Sequence, residues 1–342
     1  MRLTPSAPPT PSLPESTQRT GQLRIRQSGP ASGVASRAFA RLALSVLLAC
    51  AVAPLAFAAT PPAKTRSTQE ILDASKPSDW RTLDPARTLY LDLATGRVII
   101  ELAPDFAPAH VANITTLAHE GYWNGLAIIR SQDNFVVQWG DPNAEDEAKK
   151  KTMGSAKAKL PAEFERPAKG LAFRALPDVD GWSPQAGFAE GFPVGRDPKA
   201  GRAWLAHCYG AVGAGRNNDE DSSTGAELYV VTGQSPRQLD RNITVVGHVV
   251  QGMELLSVLP RGTGPLGFYE KPEQYAGIQA IRLAQDVPVA ERTPLEVLRT
   301  DTALFDELVE ARRNRRDAFY KRPAGHINVC NVLLPTRTPK AP

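Results

Sequence analysis

Leu89, Leu91 and Leu93 alternate with Tyr90 and Asp92, and after Ala94-Thr95-Gly96-Arg97 comes the run Val98-Ile99-Ile100-Glu101-Leu102. Alternation with period two on both sides of a Gly-containing turn predicts a β-hairpin. Pro108 then stands where a first helical residue would, Val111, Ile114 and Leu117 follow at helical spacing, and Gly121 closes the segment. This is a strand, strand, helix opening. Ile128-Ile129-Arg130 and Phe135 to Gly140 read as two further strands joined by a polar turn.

Residues 142–160 carry mixed charge and read as a solvated insertion, and residues 177–203 are rich in Gly, Pro and aromatics, which predicts a long ordered loop over the domain. Strands are predicted again at 203–208, 227–231 and 244–250, followed by a short amphipathic helix, Met253 to Leu259. The sum is mainly β with two flanking helices, which suits a closed antiparallel barrel. Beyond Asp286 the texture changes. Thr293-Pro294-Leu295-Glu296 reads as a capping box, and Leu304, Phe305, Leu308 and Val309 place an apolar stripe on a helix ending near Tyr320. The chain therefore divides into a leader (1–58), a linker docked through Trp80 (59–86), a barrel domain (87–286) and a C-terminal helical extension (287–342).

Composition changes this picture at three points. Thirty prolines and twenty-six glycines disfavour an all-α protein. The formal charge of +4 arises in the leader, where six arginines face the single acid Glu15. The remainder is nearly neutral and has no electrostatic footprint for nucleic acid. The leader itself has Arg37 and Arg41, an apolar run from Leu42 to Ala53, and Ala56-Phe57-Ala58 as a small-residue cleavage site. Export to the periplasm with cleavage after Ala58, and no stable membrane insertion afterwards, is the expectation. The alternative is a lipid anchor through Cys50 in Leu47-Leu48-Ala49-Cys50. Cys208 and Cys330 then remain, either as a disulfide across the barrel and its extension or as two buried thiols.

Little in the chain supports hydrolytic or metal chemistry. His110, His119, His207, His248 and His326 fall in no metal-ligand spacing, and no serine is framed as G-x-S-x-G. His110 and His119 are expected to be solvated on a helix surface. Asn217, Asp219 and Asp221 alternate like calcium ligands, but Ser222 and Leu228 stand where the loop needs Gly and Glu. No metal and no cofactor is expected.

The specific signal lies elsewhere. Ile128-Ile129-Arg130 is followed after four residues by Phe135-Val136-Val137-Gln138-Trp139-Gly140-Asp141; then come Gly225-Ala226-Glu227-Leu228-Tyr229-Val230, Gln238-Leu239-Asp240 and Val245-Val246-Gly247-His248-Val249. In order and spacing these resemble the cyclophilin motifs F-H-R-x-x-x-x-F-[MV]-x-Q-G-G-[DN], G-S-Q-F-F-[IV] and W-L-D-x-x-x-x-V-F-G-x-V. The resemblance runs from about Arg87 to Asp286, with insertions at 142–160 and 177–220.

It implies a cyclophilin-like barrel and peptidyl-prolyl cis/trans isomerisation without a cofactor, on proline-containing unfolded or exported polypeptides. Arg130 matches the family's catalytic arginine, and Gln138 would orient it or the substrate backbone. Phe135, Val136, Tyr229 and Leu239 would wall a pocket for the prolyl ring, and Glu227 would line the groove where the family has Gln. Ile129, Gln238 and Ile243 replace the family's His, Trp and His, so the rim is altered. That alteration leaves a second reading open, a non-catalytic peptide-binding or chaperone module on the same barrel.

Overall fold

The computed structural model describes residues 66–332 and 334–339; the leader, Cys50 and the first residues of the linker lie outside them. The linker segment is helical from its third described residue, Thr68, onward. Ser67 caps helix α1 (Thr68–Asp73) through a capping box with Glu70, and Ile71 on that helix is fully buried. Strand β1 (Trp80–Thr82) follows.

Strands β2 (Thr88–Leu93) and β3 (Gly96–Leu102) form the expected hairpin, with Leu89 opposite Ile100 and Leu91 opposite Val98. Helix α2 (Pro108–His119) starts at its proline and buries Val111, Ile114, Leu117 and Ala118. Strands β4 (Ala127–Ser131) and β5 (Val136–Gly140) come next. The long segment between β5 and β11 (residues 141–210), which includes the stretch between the two expected insertions and is called the insertion below, then holds β6 (Arg166–Pro167), β7 (Arg174–Ala175), β8 (Gln185–Ala189), β9 (Phe192–Asp197) and β10 (Arg202–Leu205). After it run β11 (Ala211–Ala214), β12 (Leu228–Val231), β13 (Val245–Gln251), the short helix α3 (Met253–Ser257) and β14 (Ala276–Leu283). The C-terminal part adds β15 (Glu296–Leu298), helix α4 (Ala303–Arg313) and β16 (Thr336–Arg337).

Eight strands close an antiparallel barrel in the order β11-β12-β5-β4-β14-β2-β3-β13. Its interior is filled by one face of each strand, including Leu91, Ile100, Val137, Trp139, Val212, Val230 and Ile281, and α2 closes against the same core. The intervening positions Val136, Tyr229, Val231, Ala211 and Val245 belong to a second apolar cluster on the outer face, as a period of two requires.

Three expectations are corrected. Residues 177–203 are not a loop: β8, β9 and β10 are the centre of a five-stranded sheet, β6-β10-β9-β8-β7. The Gly and Pro content concealed it, yet the turn is legible in hindsight. Glu190 and Gly191 both have positive φ (54° and 87°) and link Ala189 to its partner Phe192, the two-residue hairpin geometry. Strand β11 was not anticipated, because Ala211-Val212-Gly213-Ala214 is too small in side chain to show alternation. The apparent capping box at 293–296 starts no helix. Val297 and Leu298 are buried and pair with Arg81 and Trp80, so tertiary pairing overrides the local signal. Helix α4 begins ten residues or so later, capped by Thr302, which accepts from the Phe305 N–H at 3.2 Å, and it stops at Arg313 rather than near Tyr320.

The inserted sheet is a middle layer. Phe192, Val194, Ala203 and Leu205 join the barrel's outer cluster. Ala186 and Phe188 pack instead with Phe305, Leu308, Val329 and the N-terminal Ile71 and Trp80. The rings of Phe188 and Phe305 meet edge to face at 5.1 Å, and burial of each such side chain contributes about 1.5–3 kcal/mol. Cys208, just after β10, is joined to Cys330 by a disulfide with Cα atoms 4.9 Å apart. The chain's described ends, the insertion and the C-terminal helix thus share one core.

Candidate active site

The antiparallel register places four residues in one row across the barrel's outer face. Arg130 on β4 lies opposite Gln138 on β5, Gln138 opposite Tyr229 on β12, and Tyr229 opposite Gly213 on β11. A register shift between Ile128 and Arg130 sets the arginine into this row.

Arg130 is held at all three nitrogens. Nε donates to the Leu266 carbonyl at 2.7 Å, one terminal nitrogen donates to Gln138 Oε1 at 2.8 Å, and the other donates to Gln132 Oε1. Its guanidinium carbon stands 5.5 Å from the Phe135 ring centroid and 5.2 Å from that of Phe268. Burial pulls its pKa below the ordinary arginine value, and the Glu227 carboxylate opposes that shift. A guanidinium remains cationic under such pressure.

Gln138 accepts from Arg130 and stands beside the Glu227 carboxyl. Glu227 sits beside Gly140 on β5, whose missing side chain leaves room for it; a Cβ there would come within 2.7 Å of Glu227 Cγ. Burial raises the Glu227 carboxyl above the usual range, Gln138 works against this, and Glu145 and Asp141 reinforce it.

Phe135, Val136, Tyr229 and Ile243 fall in one apolar cluster. Val136 and Tyr229 are buried, whereas Phe135 is half-buried and forms the more open side. Leu239 ends a 3-10 turn (Arg237–Leu239), half-buried, and stands outside that cluster. Gln238 beside it is exposed. The row and its flank therefore offer a fixed cation next to apolar and aromatic surface.

Sequence reasoning missed the groups that hold Arg130 from a distance. Gln132 read only as part of a polar turn, while Leu266 and Phe268 come from a loop far along the chain. Leu266 has φ +56°, uncommon for a residue with a side chain, and offers its carbonyl to Arg130. A non-glycine residue in that region marks a constrained position, but φ is not written in sequence. His110 is also corrected: it is fully buried, its Nδ1 2.7 Å from Glu163, because the insertion folds over the start of α2. His119, by contrast, is half-exposed near Asp286.

The model of the family described as cyclophilin type peptidyl-prolyl cis-trans isomerase/CLD matches residues 88–282. A probable peptidyl-prolyl cis-trans isomerase of Brucella suis is 30% identical over 186 residues, 53% of this chain and 74% of that one. The same figures hold for its counterpart in Brucella melitensis. Among solved structures, the cyclophilin AquaCyp293 from Hirschia baltica superposes with a TM-score of 0.58 at 26% identity, covering 72% of this chain and 91% of that one. The matched span holds the barrel and the whole row from Arg130 to Gly213, and on these grounds the chain belongs to the cyclophilin-type peptidyl-prolyl cis-trans isomerases.

Proposed function

We propose that Arg130 carries the isomerisation by donating a hydrogen bond to the prolyl nitrogen as the X-Pro bond twists. Planar resonance in an amide delocalises the nitrogen lone pair and sets a barrier of about 18–20 kcal/mol. At the perpendicular geometry that pair is localised and accepts a hydrogen bond it could not accept in the ground state. A donor fixed beside it therefore stabilises the transition state selectively. A guanidinium has five N–H groups. Three of Arg130's are used by Leu266, Gln138 and Gln132, which leaves one on each terminal nitrogen for substrate. This arrangement, anchored yet not saturated, is the observation that carries the proposal. Phe135, Val136 and Tyr229 would receive the prolyl ring, Leu239 would form the rim, and Gln138 and Glu227 would face the substrate backbone.

The clients are proline-containing polypeptides in the exported space. The apolar run from Leu42 to Ala53 followed by Ala56-Phe57-Ala58 supports this, as does the Cys208–Cys330 disulfide, a bond that persists in oxidising compartments. Amino-terminal sequencing of the protein recovered from a periplasmic extract should begin at Ala59; a start upstream of Cys50 would defeat processing at this site.

The decisive test is exchange NMR on a short Ala-Pro peptide. Arg130→Ala should slow enzyme-driven cis/trans exchange by about 100-fold, the range for loss of one preorganised donor. Unchanged exchange in a folded Arg130→Ala protein would remove the arginine from the mechanism.

A further inference from the structure

Tyr229 stands where the cyclophilin motif has phenylalanine, and its extra hydroxyl is buried. A buried hydroxyl without a partner costs about 1–3 kcal/mol, so the position needs an acceptor. The acceptor is His207, fully buried at the end of the inserted sheet, with Nε2 2.9 Å from the Tyr229 oxygen. On the other side of the imidazole, Nδ1 lies 3.0 Å from Asp240 Oδ1, which also accepts the His207 backbone N–H at 2.9 Å. Asp240 Oδ2 accepts from Arg237 Nε at 2.6 Å and from Trp204 Nε1 at 3.3 Å. Arg237 in turn makes two parallel hydrogen bonds to Asp180, of 3.1 and 3.0 Å. Asp180 is held by Ser183 and the Trp182 N–H.

The polarity of this chain is fixed by its charges. Burial would push the Asp240 carboxyl up, but the His207 hydrogen bond and the Arg237 charge hold it below the usual carboxylate range. Asp240 is therefore an acceptor and His207 Nδ1 carries a proton, so in the neutral imidazole Nε2 accepts from the tyrosine O–H. The ring so held lies over Gly213, where a Cβ would come within 2.2 Å of Cζ and Oη. Asp240 also follows Leu239 directly, so one carboxylate ties down the wall and the rim together.

We propose that His207 is a positioning residue for prolyl isomerisation, and that the inserted segment completes the active site by fixing the Tyr229 wall through the Asp180–Arg237–Asp240–His207 chain. The inference rests on the reading of Arg130 and Tyr229 given above. It makes the insertion part of the enzyme rather than an ornament on the barrel.

The test uses the full disulfide-bonded protein and steady-state isomerisation of an Ala-Pro peptide. Tyr229→Phe removes one oxygen and His207→Ala the acceptor. Each should raise KM about fivefold, the size of one lost neutral hydrogen bond, with kcat changed less than twofold. The double variant should be no worse than either single one, because both break the same link. His207→Gln, whose amide oxygen can accept from the hydroxyl, should restore most of the affinity. If Tyr229→Phe shifts Tm but leaves KM at the wild-type value while Arg130→Ala abolishes exchange, the chain is merely structural and this proposal falls alone. If Arg130→Ala retains full exchange, the underlying site reading falls and takes the proposal with it.

Discussion

Glu227 shows how one side chain can be legible in type and illegible in state. The motif placed it in the groove, where the family has a neutral Gln, but only the structure puts it under Gln138 with Asp141 and Glu145 nearby. A carboxyl whose folded pKa is raised favours the fold while protonated. That contribution is complete below the unfolded carboxylate value and is lost as pH climbs through the folded one. Glu227→Gln, always neutral, should therefore raise Tm by about 2–4 °C at pH 7 and by much less at pH 4. Thermal melts at the two pH values test this, and an equal shift at both would contradict it. Arg130 itself was readable from its spacing to Phe135 and Gln138. Its anchors were not, since Leu266 and Phe268 approach it across more than a hundred residues of chain.

Elements were readable where their periodicity is carried by large side chains. The β2–β3 hairpin follows from Leu89, Leu91 and Leu93, and α2 from Pro108 and its apolar stripe. Strand β11 and the inserted sheet escaped because alanine and glycine give no contrast between faces, and β15 because a local cap signal pointed the other way. Helix α2 also has a cap that no local pattern contains. Glu163 of the insertion accepts from the backbone N–H groups of Ala109 and His110, both at 2.9 Å, and contacts the His110 ring. Burial would raise the Glu163 carboxyl, but these bonds outweigh it and hold it low. Its stabilisation is thus present above the unfolded carboxylate pKa and lost as pH falls through the folded value. Glu163→Ala should cost about 1–2 kcal/mol at neutral pH, the range for a lost N-cap or partly buried dipole contact. Urea titrations should find that difference shrinking toward pH 3.

At the scale of the molecule, the sequence suggested a barrel with appendages at either end, and the physical layering is different. Strand β1 pairs with β15, β15 with β16, and Ile71, Trp80, Phe188, Phe305 and Leu308 share one cluster. None of these contacts is local, which is why no stretch of sequence announces them. Truncation after residue 286 should leave the outer side of the inserted sheet bare and yield protein that aggregates or melts at least 10 °C lower; a monomeric fragment with the wild-type Tm would refute this. Cys330→Ser should destabilise more mildly. Closing a loop between residues 122 positions apart is worth roughly 4–5 kcal/mol in the chain-entropy picture, and engineered values fall below it.

The barrel's seam joins β2, near the start of the domain, to β14, which begins at Ala276. A ribosome adds about 5–20 residues per second, so each nascent chain carries an unpaired β2 edge for roughly ten seconds or longer before its partner exists. Through that interval Leu89 and Leu91 border an open template onto which any other growing chain can add a strand. The edge is closed only when β14, nearly two hundred residues later, supplies its partner.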